Sequence, residues 1–170
     1  MKKLTVIAAL ALGLFLTTLP EAKSQDTDPR FGVSLNTMIS TQDGFGPGFR
    51  FRGSAPVNQE LSFAIDLGLT GFILGGRDDA VYVTDPQVSA IVSIPDTGPS
   101  LTYFLGGVGA YVPFGPGLDD DRQTDPTINL GLGQVRPLTD TSIFYEVNLT
   151  LIIGEDNVGL GIPIRGGVIF

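Results

Sequence analysis

SIFYEVNLTLII, residues 142–153, divides into two unlike faces when every second residue is read together. Ile143, Tyr145, Val147, Leu149, Leu151 and Ile153 fall on one side, and Phe144, Glu146, Asn148, Thr150 and Ile152 on the other. A two-residue period is the signature of a β-strand, whose successive side chains point to opposite faces. One face is wholly apolar and the other holds an acid, an amide and a hydroxyl, so the strand separates two environments. The fold turns on which of them is inside.

The same division recurs along the chain. In LSFAIDLGLTGFIL, residues 61–74, Leu61, Phe63, Ile65, Leu67, Leu69 and Ile73 oppose Ser62, Ala64, Asp66, Gly68 and Thr70. At the end of the chain Leu160, Ile162, Ile164, Gly166, Val168 and Phe170 share a face. No segment after residue 24 has the 3.6-residue apolar period of an amphipathic helix. Cutting at clusters of Gly, Pro, Asp and Asn predicts eight strands, over 30–39, 45–53, 61–74, 81–94, 101–114, 126–136, 142–153 and 158–170. The connections alternate between two sets, STQDGF, GGRDDA, FGPGLDDDRQTDP and GEDN in one, and SAPVNQE, PDTGPS and PLTDT in the other. That arrangement is an up-and-down antiparallel meander in one unit.

Residues 1–24 stand apart. Met1-Lys2-Lys3 followed by the apolar run Leu4 to Leu19 has the pattern of a secretory signal peptide, and Ala22 and Ser24 are small residues where a signal peptidase reads. Cleavage is expected before Gln25, leaving 25–29 as a short linker and 30–170 as the folded domain. The chain has no cysteine, which excludes a lipid-modified N-terminal cysteine and a disulfide framework. No lysine follows Lys23, acids outnumber arginines, and the formal net charge is −8. A chain of this sign is a poor partner for nucleic acid, whose binding rests on phosphate neutralisation.

Eight strands in a meander would present two raw edges unless the sheet closes. In a soluble, lipocalin-like barrel the apolar face lines a cavity and the outer face carries Lys and Glu. Here the second face is mostly Gly, Ser, Ala, Thr and Asn, with few charges. Such a set fills the narrow lumen of an eight-stranded barrel. The charge-free apolar face suits hydrocarbon, which tilted strands of about 9–11 residues can cross and in which a closed sheet leaves no backbone group unpaired. The predicted fold is therefore all-β, a closed eight-stranded antiparallel up-and-down transmembrane β-barrel. Tyr82, Tyr103, Tyr111 and Tyr145 lie where an interfacial aromatic girdle is expected.

The leader, the alternating segments and the terminal GIPIRGGVIF together make the chain similar to small bacterial outer-membrane β-barrel proteins of the OmpA/OmpX-like type. The resemblance implies an outer-membrane location. It further implies that the closing strand, with Ile164, Val168 and the terminal aromatic Phe170, is read by the barrel assembly machinery.

Charges in a lumen are costly unless paired. Folding the last hairpin about GEDN sets Glu146 opposite Arg165 on the inward face, close enough to pair. Arg50 or Arg52 on the second strand can meet Asp66 on the third in the same way. These five residues are expected to form an ion-pair network that plugs the barrel. Catalysis is not expected, because there is no histidine, no cysteine and no G-x-S-x-G elbow. An Asp66 and Glu146 acid pair reads better as part of the salt-bridge network. Asp119 to Asp125, DDDRQTD, lacks the residue order of a calcium loop and reads as a solvated acidic connection, so neither metal nor cofactor is expected. Gly107-Val108-Gly109 and Gly131-Leu132-Gly133 sit within strands with no helix behind them, unlike nucleotide loops.

The functional expectation is a monomeric, non-enzymatic outer-membrane barrel with a structural or envelope role, in contact with outer-membrane lipid, its termini periplasmic and GGRDDA and the 115–125 connection outside the cell. The competing readings are a secreted soluble lipocalin-like barrel carrying an apolar ligand, and a narrow solute channel.

Overall fold

Alternation of branched or aromatic residues with small polar ones favours pleated strands that differ on their two sides, and the chain forms eight of them. A computed structural model describes residues 28–72, 80–94, 98, 100–116, 123–155 and 157–170. The strands are β1 (Arg30–Ser40), β2 (Gly44–Pro56), β3 (Leu61–Phe72), β4 (Val81–Ile94), β5 (Leu101–Phe114), β6 (Asp125–Pro137), β7 (Ser142–Ile153) and β8 (Val158–Ile169). Each pairs antiparallel with its neighbours in chain order, and β1 pairs with β8 to close the barrel. The closing seam extends past β8, where the Phe170 amide donates to the Phe31 carbonyl at 2.8 Å.

The start of β1 and the end of β8 lie at one end, called here the terminus end, with the β2–β3, β4–β5 and β6–β7 connections; the other four hairpins turn at the opposite end, called here the loop end. Gly44 leaves the β1–β2 turn with φ 84°, a left-handed conformation that a side chain disfavours. At the terminus end Asn58 braces the β2–β3 turn, its carboxamide oxygen accepting from the Glu60 and Leu61 amides at 2.9 and 2.8 Å.

The expected strands and the observed ones agree to within three residues at every described end. The largest extension is in β2, where Ser54, Ala55 and Pro56 continue the ladder opposite Ala64, Phe63 and Ser62. Two ladders are interrupted at proline. The β4–β5 register stops at Thr84 opposite Val112 and resumes at Gln87 opposite Gly109, bracketing Pro86. The β7–β8 register skips from Val147 opposite Ile164 to Thr150 opposite Gly161, bracketing Pro163. A residue without an N–H cannot contribute its bond to the ladder.

Burial is inverted with respect to a water-soluble protein. Leu35 is 77 % exposed and Val108 62 %, whereas Arg50 is 2 % exposed and Glu146 1 %. The charged strand residues either face the lumen, where all but the half-buried Asp85 are buried, or lie at strand ends, as Arg30, Asp125 and Arg136 do. The expected tyrosine girdle needs correction. Tyr145 is exposed and Tyr82 half-buried on the outer face, stacked on Phe114 at 5.8 Å, but Tyr103 and Tyr111 are buried in the lumen. Both share the inward face of β5 with Leu105, Gly107 and Gly109, and a buried phenol must find a partner. Tyr103 finds Glu146, and Tyr111 finds Asp43.

Candidate functional site

The lumen is where the chemistry-bearing side chains converge. Inward positions of β2, β3, β4, β7 and β8 bring Arg50, Arg52, Asp66, Asp85, Glu146 and Arg165 together, three cations against three carboxylates. Adjacent strands set the first contacts through register, Arg52 lying opposite Asp66 and Glu146 opposite Arg165. The Arg52 Nε donates to Asp66 Oδ1 at 2.7 Å, and Arg165 Nη1 to Glu146 Oε1 at 2.6 Å. Closure of the barrel then adds a contact between strands far apart in the chain: Arg52 Nη1 and Nη2 reach Glu146 Oε2 and Oε1 at 2.8 and 3.3 Å. Arg50 pairs with Asp85, and its Nη1 lies 4.0 Å from Asp66 Oδ1.

Glu146 is the hub. Besides the two arginines it accepts from the Tyr103 hydroxyl and the Asn148 carboxamide, each at 2.8 Å. The Arg52 guanidinium also sits over the Phe144 ring, 5.5 Å from its centroid, a cation–π contact. Space for these large groups comes from glycines directly across the ladder. Tyr103 lies opposite Gly133, Arg50 opposite Gly68 and Asn148 opposite Gly131. A Cβ at any of the three would run into the facing side chain.

Towards the loop end the lumen changes character twice. First comes a tier of amides and hydroxyls, in which Asn36 donates to Thr70 at 2.9 Å and Thr150 to Asn129 at 2.6 Å. Then comes an apolar tier of Met38, Phe72, Val81, Val83, Tyr111 and Ile152, all buried. Beyond it a chamber of about 470 Å³ opens at the loop end, its wall including Thr41, Gln42, Tyr111, Asp125, Glu155 and Asn157.

All five residues expected in a lumenal network thus lie in one cluster. Asp85, Tyr103 and Asn148 belong to it as well and were not anticipated. Asp85 is followed by Pro86 and has no charged neighbour on its own strand. Asp66 and Glu146 do not form a free acid pair, because Arg52 stands between them and bonds to both. Of the closing-strand residues, Ile164 and Phe170 are exposed and Val168 is half-buried on the outer face. The cleavage-site residues Ala22, Ser24 and Gln25 lie outside the described residues, as does Asp119 to Arg122 of the acidic connection. Among the described residues no three His, Cys, Asp or Glu side chains are grouped to hold a metal ion.

No family model and no curated protein matches the chain. Solved structures do. The crystal structure of Neisserial surface protein A superposes with a TM-score of 0.65 at 16 % identity, over 83 % of this chain and 94 % of that one. The N-terminal β-barrel domain of OprF from Pseudomonas aeruginosa gives a TM-score of 0.54 at 13 % identity, over 83 % and 97 %. This chain has the fold of the small outer-membrane β-barrels. The outer membrane protein OprG from Pseudomonas aeruginosa shares that fold at a TM-score of 0.51 and 10 % identity, over 85 % and 97 %. At these identities the likeness is one of architecture, and the lumenal residues of this outer-membrane-type barrel have to be read on their own chemistry.

Proposed function

We propose that the chain is an integral, monomeric outer-membrane protein that performs no catalysis, with an envelope-structural role and a lumen plugged by its own side chains. The observation that carries this reading is the inversion of burial: large apolar side chains cover the outside while arginines and carboxylates fill the inside. Hydrocarbon is the surrounding that makes such an exterior favourable, and a closed ladder leaves few backbone groups to satisfy there. A soluble carrier of an apolar ligand would need an apolar cavity, and the middle of this lumen is ionic. A conducting pore would need a water path, and the ionic tier is crossed from wall to wall by Arg52 and Glu146.

In this reading the termini face the periplasm and the loop end faces outward, residues 1–24 direct export, and the closing strand with Ile164, Val168 and Phe170 is recognised by the barrel assembly machinery. The test is physical state. The processed protein should stay with the membrane until detergent releases it, and should migrate faster on a gel unheated than heated. A processed protein that remained soluble and monomeric without detergent would overturn the reading.

A further inference from the structure

We propose that the barrier closing this lumen to the loop-end chamber is the apolar tier, with Tyr111 as its shutter, and that the ion-pair cluster contributes stability without being that barrier. The proposal rests on the plugged-lumen reading and adds to the ionic tier a second barrier on its loop side. Five strands send Met38, Phe72, Val81, Val83, Tyr111 and Ile152 into one band. Two of the strands that lack a large apolar side chain at this level are covered from a neighbour: the Met38 methyl lies against Gly161 of β8, and the Phe72 ring against Gly46 of β2. Below the band lies a void of about 10 Å³ bordered by Asp85, Gln87, Thr127, Asn129 and Thr150, room for about one water. Above it lies the open chamber of about 470 Å³. Among the described residues, Tyr111 alone lines both. Its ring is the partition, and its hydroxyl is tied to Asp43 in the β1–β2 turn at 2.6 Å, which holds the ring across the lumen.

The ionic cluster is centred on a separate tier, with Asp85 at its upper edge bordering the void. Along β7, Glu146 and Ile152 are about 20 Å apart at ~3.3 Å per residue, with Asn148 and Thr150 between them on the inward face. Loosening the ion pairs therefore leaves the apolar band standing, whereas removing the Tyr111 ring joins the chamber to the polar tier.

Thr150 is buried, lines the lower void, and sits in a chain with no cysteine, so Thr150→Cys is a unique reporter. The folded protein in detergent would be treated with 2-aminoethyl methanethiosulfonate, each variant first being shown to keep heat-modifiable migration. With Tyr111 intact, labelling should be slow, since it requires a local opening. Tyr111→Ala should accelerate it by about an order of magnitude or more, as reaction no longer waits for that opening. Glu146→Gln should leave the rate unchanged. If Tyr111→Ala does not fold, Tyr111→Phe, which keeps the ring and loses the bond to Asp43, should give a smaller acceleration. Fast labelling with Tyr111 intact, no acceleration in either Tyr111 variant, or acceleration by Glu146→Gln in place of them would overturn the proposal. Conductance of the unmodified protein reads the plugged state itself, so a silent bilayer with the wrong labelling order would sink the shutter and leave the plug.

Discussion

Glu146 accepts five hydrogen bonds from Arg52, Tyr103, Asn148 and Arg165. Removing it leaves the buried Arg165 guanidinium without its carboxylate and Arg52 with Asp66 alone, and breaking one side of a buried pair costs about 3–5 kcal/mol. Glu146→Ala should show that loss in denaturant unfolding from lipid vesicles. Adding Arg165→Met should recover part of it by removing an uncompensated charge; a double variant as unstable as the sum of its singles would speak against direct coupling. At this scale the sequence is informative where chain neighbours are strand neighbours. Glu146 and Arg165 are brought opposite by the short turn at 154–157, and Arg52 meets Asp66 across the next-to-first hairpin. Asp85 and Tyr103 join the cluster through strands that no single hairpin relates, Asn148 joins it from two residues along the same face of β7, and their facing glycines, such as Gly133 beneath Tyr103, acquire meaning only when the lumen is filled.

Each strand is a two-sided element, and its outward side makes its own demand. Leu130, near the middle of β6, is exposed between Ile128 and Leu132. An arginine near the bilayer midplane on the lipid face of such a barrel costs about 2–4 kcal/mol. Leu130→Arg should therefore lower unfolding stability in vesicles by that order, whereas a water-facing strand would accept it within about 0.5 kcal/mol; an unchanged midpoint would indicate that this face does not meet hydrocarbon. Strand number, order and faces were legible because alternation runs through the middle of nearly every strand. It fails at the loop ends, where adjacent residues such as Tyr111 and Val112, or Ile152 and Ile153, are apolar on both sides. The apolar tier was hidden for that reason, as was the inward placement of Tyr111; at the terminus end of β5, Tyr103 was hidden likewise among Phe104 and Leu105. A pattern of period two reports a face only when the two faces differ.

Taken whole, the molecule is a cylinder in whose central ionic tier three arginines face three carboxylates, Asp66, Asp85 and Glu146. No wide water column is available for ions beside them, and eight strands leave an interior only wide enough for side chains. Purified protein in a planar bilayer should accordingly show no steady conductance, and regular open steps from the unmodified protein would contradict a plugged lumen. The closed topology followed from the sequence once the apolar face was assigned outward, since a meander with such a face has no other way to hide its edges.

The bond between Arg52 and Glu146 joins residues 94 positions apart, and it can form only when the first and last strands meet. Adjacent strands already pair Arg52 with Asp66 and Glu146 with Arg165, so closure adds the contact that joins the two pairs. That contact and the seam therefore form together, which makes the final step of assembly cooperative: a seven-strand intermediate lacks both the last row of backbone bonds and the partner Arg165. The long sequence separation makes this contact slow to find, because chain entropy must be lost before it is rewarded. The same cluster that fills the finished barrel thus favours the closed cylinder over any partly zipped form.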